Sequence, residues 1–484
     1  MLSDTDKGNM LAGDDFRTSD DDRLFPLTRE TEEALAKIRR LPGTVATMPL
    51  VDCYMGRQES PTSLTVLNDE NVFPELAANV INCGMGLLDT GLDSEEVCGR
   101  DLDRWVRLVV QLGRVGTRSF SREQAQSAFV QGVPGLVAKG LVSDAVAEGF
   151  ELGGQAIDGL NHRRSLTRYV PPTLLYSRFV RENALWSLGG NHFLEIQVVR
   201  TFGDAEDAGS PVGLSPGRVV VMLHTDFRVT GALNYHFVRR KRLEEKSVAK
   251  RAAYSASKWA FQLASGRPSL NRVKALKRLY GRRVQFTPMP LGHPETDRYL
   301  TARGLAANYA YAGRAMLYEM MLSGLRNIFG TDGARARLVW DCDHESIRRR
   351  ELNGRTVVCH RKGSVEAMPG KPVLIAGGYD YPSLLGVSPP KVPPWASYDH
   401  GSSHVNARIT STGDGHVPVS EGREVLRYRI AGRGDGVALV DRVALRSTNG
   451  FVRQVEALSR MGVVSPVAWL VPIANVKGRL LPGG

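Results

Sequence analysis

The chain of 484 residues is short of cysteine, of long apolar runs and of the familiar local motifs of nucleotide enzymes, and each shortage excludes something. Its five cysteines, Cys53, Cys83, Cys98, Cys342 and Cys359, are odd in number and contain no CxxC pair. A disulfide framework and a thiolate zinc ribbon are thereby disfavoured, and reduced thiols are expected. No apolar stretch approaches the roughly 18 to 20 residues needed to cross a bilayer. The start, Met1 to Lys7, lacks the basic and then apolar pattern of a secretory signal, so the expectation is a cytoplasmic protein with no membrane partner. A GxxxxGK[ST] phosphate loop, a Lys-x-Asp-Gly nucleophile motif and an HExxH metal motif are all missing, which removes three common routes to phosphoryl or hydrolytic chemistry. After Leu24 no proline- or serine-rich linker divides the chain, and no internal repeat is found.

What is present is the composition of a globular protein, 42% hydrophobic and 24% charged, with enough length for a large core. The formal charge is +12 and the pI about 9.5. An excess of Lys and Arg favours a polyanionic partner, because binding releases counterions from phosphates, so RNA or DNA is the expected class. Acidic residues concentrate instead at the start: Asp4, Asp6, Asp14, Asp15, Asp20, Asp21 and Asp22 stand among few apolar residues. Residues 1–23 are therefore expected to form an acidic, unpacked tail, and residues 24–484 one catalytic domain, a monomer.

Several short apolar runs lie next to a polar residue, the pattern of a strand that delivers a side chain to a pocket. Val219 to Leu223 ends at His224; Leu338 to Trp340 runs into Asp341, Asp343 and His344; Thr356 to Cys359 ends at His360; Phe193 to Val199 follows Asn191 and His192. Helical stretches separate them, notably Leu243 to Leu279 and Leu305 to Leu325. The predicted class is α+β: a single large domain with central mixed sheets flanked by helices and an active site at the strand ends. The first helical stretch and its flanks, residues 239–283, are densely basic with Tyr254, Trp259 and Tyr280 interleaved. Such a surface reads either as an RNA-backbone contact or as a solvated helix face, and both readings stay open.

Among the ten histidines, His192, His224, His344 and His400 stand beside glycine or at strand ends, as does Cys83. Imidazole and thiolate together suit a transition metal such as manganese or zinc rather than magnesium alone. A histidine at a strand end is also a common structural hydrogen-bonding group, and spacing does not separate the two.

The segment Leu188-Gly-Gly-Asn-His-Phe-Leu-Glu195 resembles the Gly-Asn-His-Phe-x-Glu signature of RtcB-type RNA ligases. Other blocks of that family follow in order: Met48-Pro49, Asn82-Cys-Gly84, Leu223-His-Thr225 with Arg228, Asn308-Tyr-Ala310 with Arg314, Asp341-Cys-Asp-His344, His360-Arg-Lys-Gly363, Ser397-Tyr-Asp-His-Gly401 and Val476-Lys-Gly478. The resemblance implies a GTP- and manganese-dependent ligase, with one or two Mn2+ ions, that joins 2′,3′-cyclic phosphate or 3′-phosphate RNA ends to 5′-hydroxyl ends in tRNA splicing or RNA repair. It further implies that Cys83, His192, His224 and His344 bind the metal, with the Cys83 thiolate suited to bridging two ions. His400 matches the histidine that carries GMP. Asn191, Phe193, Glu195 and Lys477 match positions around the guanine nucleotide, and Arg228 and Arg408 match arginines that bind RNA phosphates. An archease-like activator is a further implied partner.

The departures from the family pattern cluster around this set. The family places Asp three residues before the metal-binding cysteine, where this chain has Val80, and Met48-Pro-Leu-Val-Asp52 replaces Met-Pro-Asp-Val-His. Asp52 is the candidate to replace the missing carboxylate. Asp226-Phe227 stand for Gly-Ser, Glu345 for Asn, Ala376-Gly-Gly-Tyr-Asp380 for Pro-Gly-Ser-Met-Gly, and His404 for an Arg. The pattern reads as a specialised ligase. The alternative is a catalytically impaired paralogue that binds RNA or processes its ends.

Overall fold

The computed structural model of the protein describes residues 25–477, except 57–59, 78–79, 98, 115–119, 158–162, 171–190, 202–210, 228–285, 331–334, 353, 379, 393–394, 403, 406–423, 431–436 and 447–448. The acidic tail, Cys98, Arg228, Arg408 and the basic stretch 239–283 lie outside the described residues.

Strands dominate in number. They are β1 (Thr44–Tyr54), β2 (Thr62–Asn68), β3 (Asn71–Val72), β4 (Gly84–Asp93), β5 (Phe193–Thr201), β6 (Arg218–Thr225), β7 (Met289–Pro290), β8 (Arg337–Asp343) and β9 (Glu345–Leu352). After them come β10 (Arg355–Lys362), β11 (Ser364–Glu366), β12 (Pro372–Ile375), β13 (Ser383–Val387), β14 (Ser397–Asp399), β15 (Glu424–Ile430), β16 (Val437–Ala444) and β17 (Ser465–Lys477). The helices are α1 (Arg29–Arg39), α2 (Gly99–Arg114), α3 (Arg122–Val137), α4 (Asp144–Ala147), α5 (Arg163–Tyr169), α6 (Pro294–Phe329) and α7 (Asn449–Arg460).

The large sheet runs β12-β13-β17-β5-β6-β4-β8, with β15 added parallel to β17 and β16 paired to β15. Its other pairings are antiparallel, so the sheet is mixed as expected. Alternation along its central strands divides the core in two. Leu194, Ile196 and Val198 of β5 and Val219, Val221 and Leu223 of β6 face a layer built from α2, α3 and α6. Phe193, Val220 and Met222 face the opposite side, where they join β12, β13 and α7 through Leu374, Leu384, Phe451 and Leu458. A second, antiparallel sheet, β1-β2-β10-β9, lies beside the first.

Helix α6 holds the first layer together. The periodic stretch Leu305 to Leu325 is its buried centre, and the helix reaches further at both ends. It starts after His293, whose Nδ1 accepts from the Glu295 N–H, with Pro294 in the first turn, and it ends at Gly330 in the left-handed region at φ +61°. Its polar first turns explain why apolar periodicity alone starts the helix late. Among the described residues no helix is long and apolar enough to cross a membrane. The four described cysteines, Cys53, Cys83, Cys342 and Cys359, are buried and form no disulfide.

Candidate metal and nucleotide site

Strand polarity brings the candidate ligands together. β4 and β5 run antiparallel to β6, and β4 runs antiparallel to β8, so the starts of β4 and β5 lie beside the ends of β6 and β8. Cys83 immediately precedes β4, His192 precedes β5, His224 is the penultimate residue of β6, and His344 follows β8. Register confirms the neighbourhood: Gly84 pairs with both Thr225 and Asp343, and Phe193 pairs with His224. Period-two alternation then places His224 on the face of Val220 and Met222. His344 is also the junction at which the chain leaves the large sheet for β9 of the second sheet, and its N–H is held by the Cys83 carbonyl at 3.0 Å.

The side chains converge. Cys83 Sγ lies 3.4 Å from both His192 Nε2 and His224 Nε2, while His224 Nε2 lies 3.0 Å from His344 Nε2. Donors around one cation with bonds of roughly 2.0–2.3 Å stand about 3.0–3.6 Å apart, so these separations fit a shared ion. Two triplets satisfy this closeness, Cys83 with His224 and His344, and Cys83 with His192 and Asp226, each with ligand atoms within 4.8 Å of one another. The cluster could hold a metal ion. Burial lowers His224 well below the usual imidazole range and His344 to about 3, so both offer lone pairs rather than protons at neutral pH. Burial pushes the Cys83 thiol up, and Asp226 and Glu345 push it further; a cation among these groups would oppose all three effects.

The candidate ligands rest on fixed supports. Arg314 of α6 donates from Nη1 to the Asn82 carbonyl at 2.7 Å, from Nη2 to Asn82 Oδ1 at 2.7 Å, and from Nε to both oxygens of Asp341. Asn82 is left-handed at φ +58°, which turns the chain so that Cys83 enters the pocket. Gly84 is needed for the same clamp, since a Cβ there would lie 2.5 Å from the guanidinium carbon. Glu345 Oε1 accepts the Gly363 N–H at 3.2 Å and stands 3.6 Å from His344 Nδ1, an ion-pair distance beyond hydrogen-bond reach.

His400 completes the group of histidines. It follows β14, whose Asp399 pairs with Ser364 of β11, and its ring stacks on His344 with centroids 4.2 Å apart. The His224 ring is 5.6 Å away. Burial and the neighbouring His344 hold His400 at about 3, so it is uncharged at neutral pH.

A buried polar cluster continues along the same sheet face. Alternation puts Phe193, Glu195 and Gln197 on the side of β5 away from the helices, and puts Asn475 and Lys477 on that side of β17, since Ala474 and Val476 enter the helical layer. Asn475 Nδ2 donates to Glu195 Oε1 at 2.8 Å, and Gln197 Nε2 donates to Glu195 Oε2 at 2.6 Å and to Ser383 Oγ at 3.0 Å. Burial raises Glu195 to about 8, although both amides and the Lys477 charge act against it. Burial also lowers Lys477. Phe193 packs edge-on to His224 at 5.5 Å, and Asn191 is exposed in the turn before His192.

The sequence profile of the family described as tRNA-splicing ligase RtcB matches residues 34–478. The chain belongs to the RtcB family. Among its relatives, the tRNA-splicing ligase RtcB of Pyrococcus furiosus is 27% identical over 431 residues, covering 82% of this chain but 40% of that protein. This chain therefore spans about two fifths of the length of the Pyrococcus proteins it matches. The RNA-splicing ligase RtcB of Mycobacterium tuberculosis is 28% identical over 486 residues, 92% of this chain and 100% of the relative. The tRNA-splicing ligase RtcB of Aeropyrum pernix is 27% identical over 356 residues, 68% of this chain and 66% of the relative.

Within this RtcB chain, the departures fall into place unevenly. Asp52 is buried, and its Oδ1 accepts the Val405 N–H at 2.6 Å, while its own N–H donates to Asp399. It braces the segment after His400 and belongs to neither ligand triplet. The carboxylate that does reach Cys83 and His192 is Asp226, which the sequence marks only as a departure. His404 stacks on Tyr54, with ring centroids 4.3 Å apart. His360 is a structural residue within β10, where its Nε2 accepts the Phe73 N–H at 3.0 Å.

Proposed function

We propose that the protein is a GTP- and manganese-dependent RNA ligase that joins ends bearing a 2′,3′-cyclic phosphate or 3′-phosphate to 5′-hydroxyl ends, with GMP carried on His400. Family membership supports the RNA-ligase class, and the relatives are named as tRNA-splicing and RNA-splicing ligases. The observation that carries the proposal is the stack of His400 on His344 beside the cysteine and histidine cluster. A nucleophile for a phosphate thus stands next to groups able to hold the cation that the phosphate needs.

In this reading Cys83, His192, His224 and His344 hold manganese, which would polarise phosphoryl oxygens and neutralise developing charge. His400 is uncharged at neutral pH, so its attack needs no base to remove a proton first. Its Nε2 forms a bond to the α-phosphorus of GTP as the bond to pyrophosphate breaks, and pyrophosphate leaves. A phosphate oxygen of the RNA end then displaces the imidazole and takes up GMP. Asn191, Phe193, Glu195 and Lys477 surround the guanine nucleotide, with the Glu195 carboxylate able to accept two guanine N–H donors. Arg228 and Arg408 hold RNA phosphates.

The test is incubation of the whole protein with manganese and labelled GTP, followed by mass spectrometry before and after acid. An acid-labile GMP adduct that His400→Ala abolishes is expected, together with joining of a 3′-phosphate RNA to a 5′-hydroxyl RNA. Absence of the adduct across a range of manganese concentrations, or equal labelling of His400→Ala, would overturn the proposal in favour of RNA binding without ligation.

A further inference from the structure

The structure assigns Asp226 as the carboxylate ligand of a second divalent cation, which shares the Cys83 thiolate with the first and makes good the carboxylate that Val80 lacks. The assignment rests on the metal dependence proposed above.

Backbone register supplies the first argument. Gly84 pairs with Thr225 and Met85 with His224. One step further in this antiparallel register, Asp226 stands across from Cys83. The second argument is the way the residue is aimed. Phe227 is buried in the helical layer, where its ring sits against Gly313 of α6 so closely that a Cβ on Gly313 would meet it at 2.5 Å. With Phe227 anchored on that side, alternation sends Asp226 to the other, where His224 also points. Both residues of the Asp226-Phe227 departure thus have a task, one as anchor and one as ligand.

Charge supplies the third argument. Asp226 is 6% exposed, and its ion-pair contact is with His192 Nδ1 at 3.7 Å, too long for a hydrogen bond. A carboxylate buried beside a thiol and an imidazole is costly unless a cation compensates it. Cys83, His192 and Asp226 form a triplet with ligand atoms within 4.8 Å, and Cys83 belongs equally to the triplet with His224 and His344. The five side chains therefore form two three-donor sites joined at one sulfur. Thiolate and carboxylate bring two negative charges to two divalent ions, leaving positive charge for phosphates.

The experiment uses the full chain, freed of metal by a chelator and titrated with Mn2+ alone, without GTP or RNA. Bound manganese is counted by equilibrium dialysis with elemental analysis, and low-temperature electron paramagnetic resonance reports whether two ions are coupled. Wild type is expected to take up two ions with a coupled signal. Asp226→Ala is expected to hold one at the same manganese concentration, with the second at least 100-fold weaker and the signal that of an isolated ion. The double variant Val80→Asp/Asp226→Gly is expected to regain two coupled ions, which also guards against a simple folding defect in Asp226→Ala. Wild type saturating at one ion would overturn the assignment, as would Asp226→Ala retaining two coupled ions with nearly unchanged affinity. Because no GTP or RNA enters the assay, failure here is distinct from failure of GMP labelling or RNA joining.

Discussion

The imidazole of His400 donates its Nδ1–H to the Gly363 carbonyl at 2.9 Å, and that bond selects the nitrogen available for chemistry. A carbonyl can only accept, so Nδ1 carries the proton and the lone pair resides on Nε2. Gly363 sits at φ +62°, and a Cβ there would lie 2.2 Å from Thr62 Oγ1 and 2.9 Å from the Ser63 nitrogen. Gly363→Ala must therefore shift the carbonyl that holds the ring. GMP labelling of His400 is expected to slow by about 100-fold, the usual penalty for a reacting group misplaced by an ångström. Labelling at the wild-type rate would show that this hydrogen bond does not set the tautomer.

Arg314 is a second point of leverage, because one buried guanidinium holds both Asp341 and the turn that presents Cys83. Arg314→Leu leaves the fully buried Asp341 without its cation, so a loss of about 3–5 kcal/mol is expected. Arg314→Lys should recover little, since one ammonium cannot replace a fork that reaches Asn82 and Asp341 together. Denaturant titration of the three proteins measures the order. A lysine variant as stable as wild type would mean that charge alone, and not the fork, is what the site needs.

Acid stability should depend on Glu366. Burial acts to raise this carboxyl, but Arg361, Arg348 and Arg350 outweigh it and hold it at about 2 against an ordinary value of 4.5. The folded state therefore binds a proton less readily than the unfolded chain. The stabilisation is present above pH 4.5 and is lost as pH falls towards 2, and a shift of this size corresponds to roughly 3 kcal/mol. Midpoints of unfolding between pH 6 and pH 3 should fall steeply in wild type and less steeply in Glu366→Gln. Parallel curves would refute the role.

The parts of this molecule legible in its sequence are those whose signals are local. Val219 to Leu223 and Phe193 to Val199 read as strands because their apolar residues are contiguous, and each lies within an observed strand. Cys83, His192, His224 and His344 stand out because each flanks or ends such a run. What the sequence hides is pairing between distant segments. Nothing near Asp52 reveals that its carboxylate will take the Val405 N–H, 353 residues away. Nothing near Asp226 reveals that it will face Cys83, although its place two residues after His224 keeps it on the same strand face. The Arg314 clamp on Asn82 joins residues 232 apart and is likewise invisible to periodicity.

Glu195 carries the last prediction, one in which stability and binding oppose each other. Burial lifts its carboxyl to about 8 in spite of hydrogen bonds from Asn475 and Gln197. In the unfolded chain the same group ionises near 4.5, so the folded state holds a proton that the unfolded state has released between these values. The contribution of Glu195 to stability thus declines as pH rises from 4.5 to 8 and is level above that. Glu195→Gln removes the decline, and the variant should be more stable than wild type at pH 8 while matching it near pH 4.5. The binding cost should appear with GTP, because in the proposed site guanine presents two adjacent N–H donors that a carboxylate accepts and a carboxamide does not. Guanine would favour the ionised form, so wild type should release about one proton on binding GTP at pH 7 and bind more tightly as pH approaches 8. Calorimetry in buffers of different ionisation enthalpy counts that proton. Glu195→Gln should release none and bind more weakly, and a variant that binds GTP as wild type does, with the same proton release, would remove Glu195 from the nucleotide site.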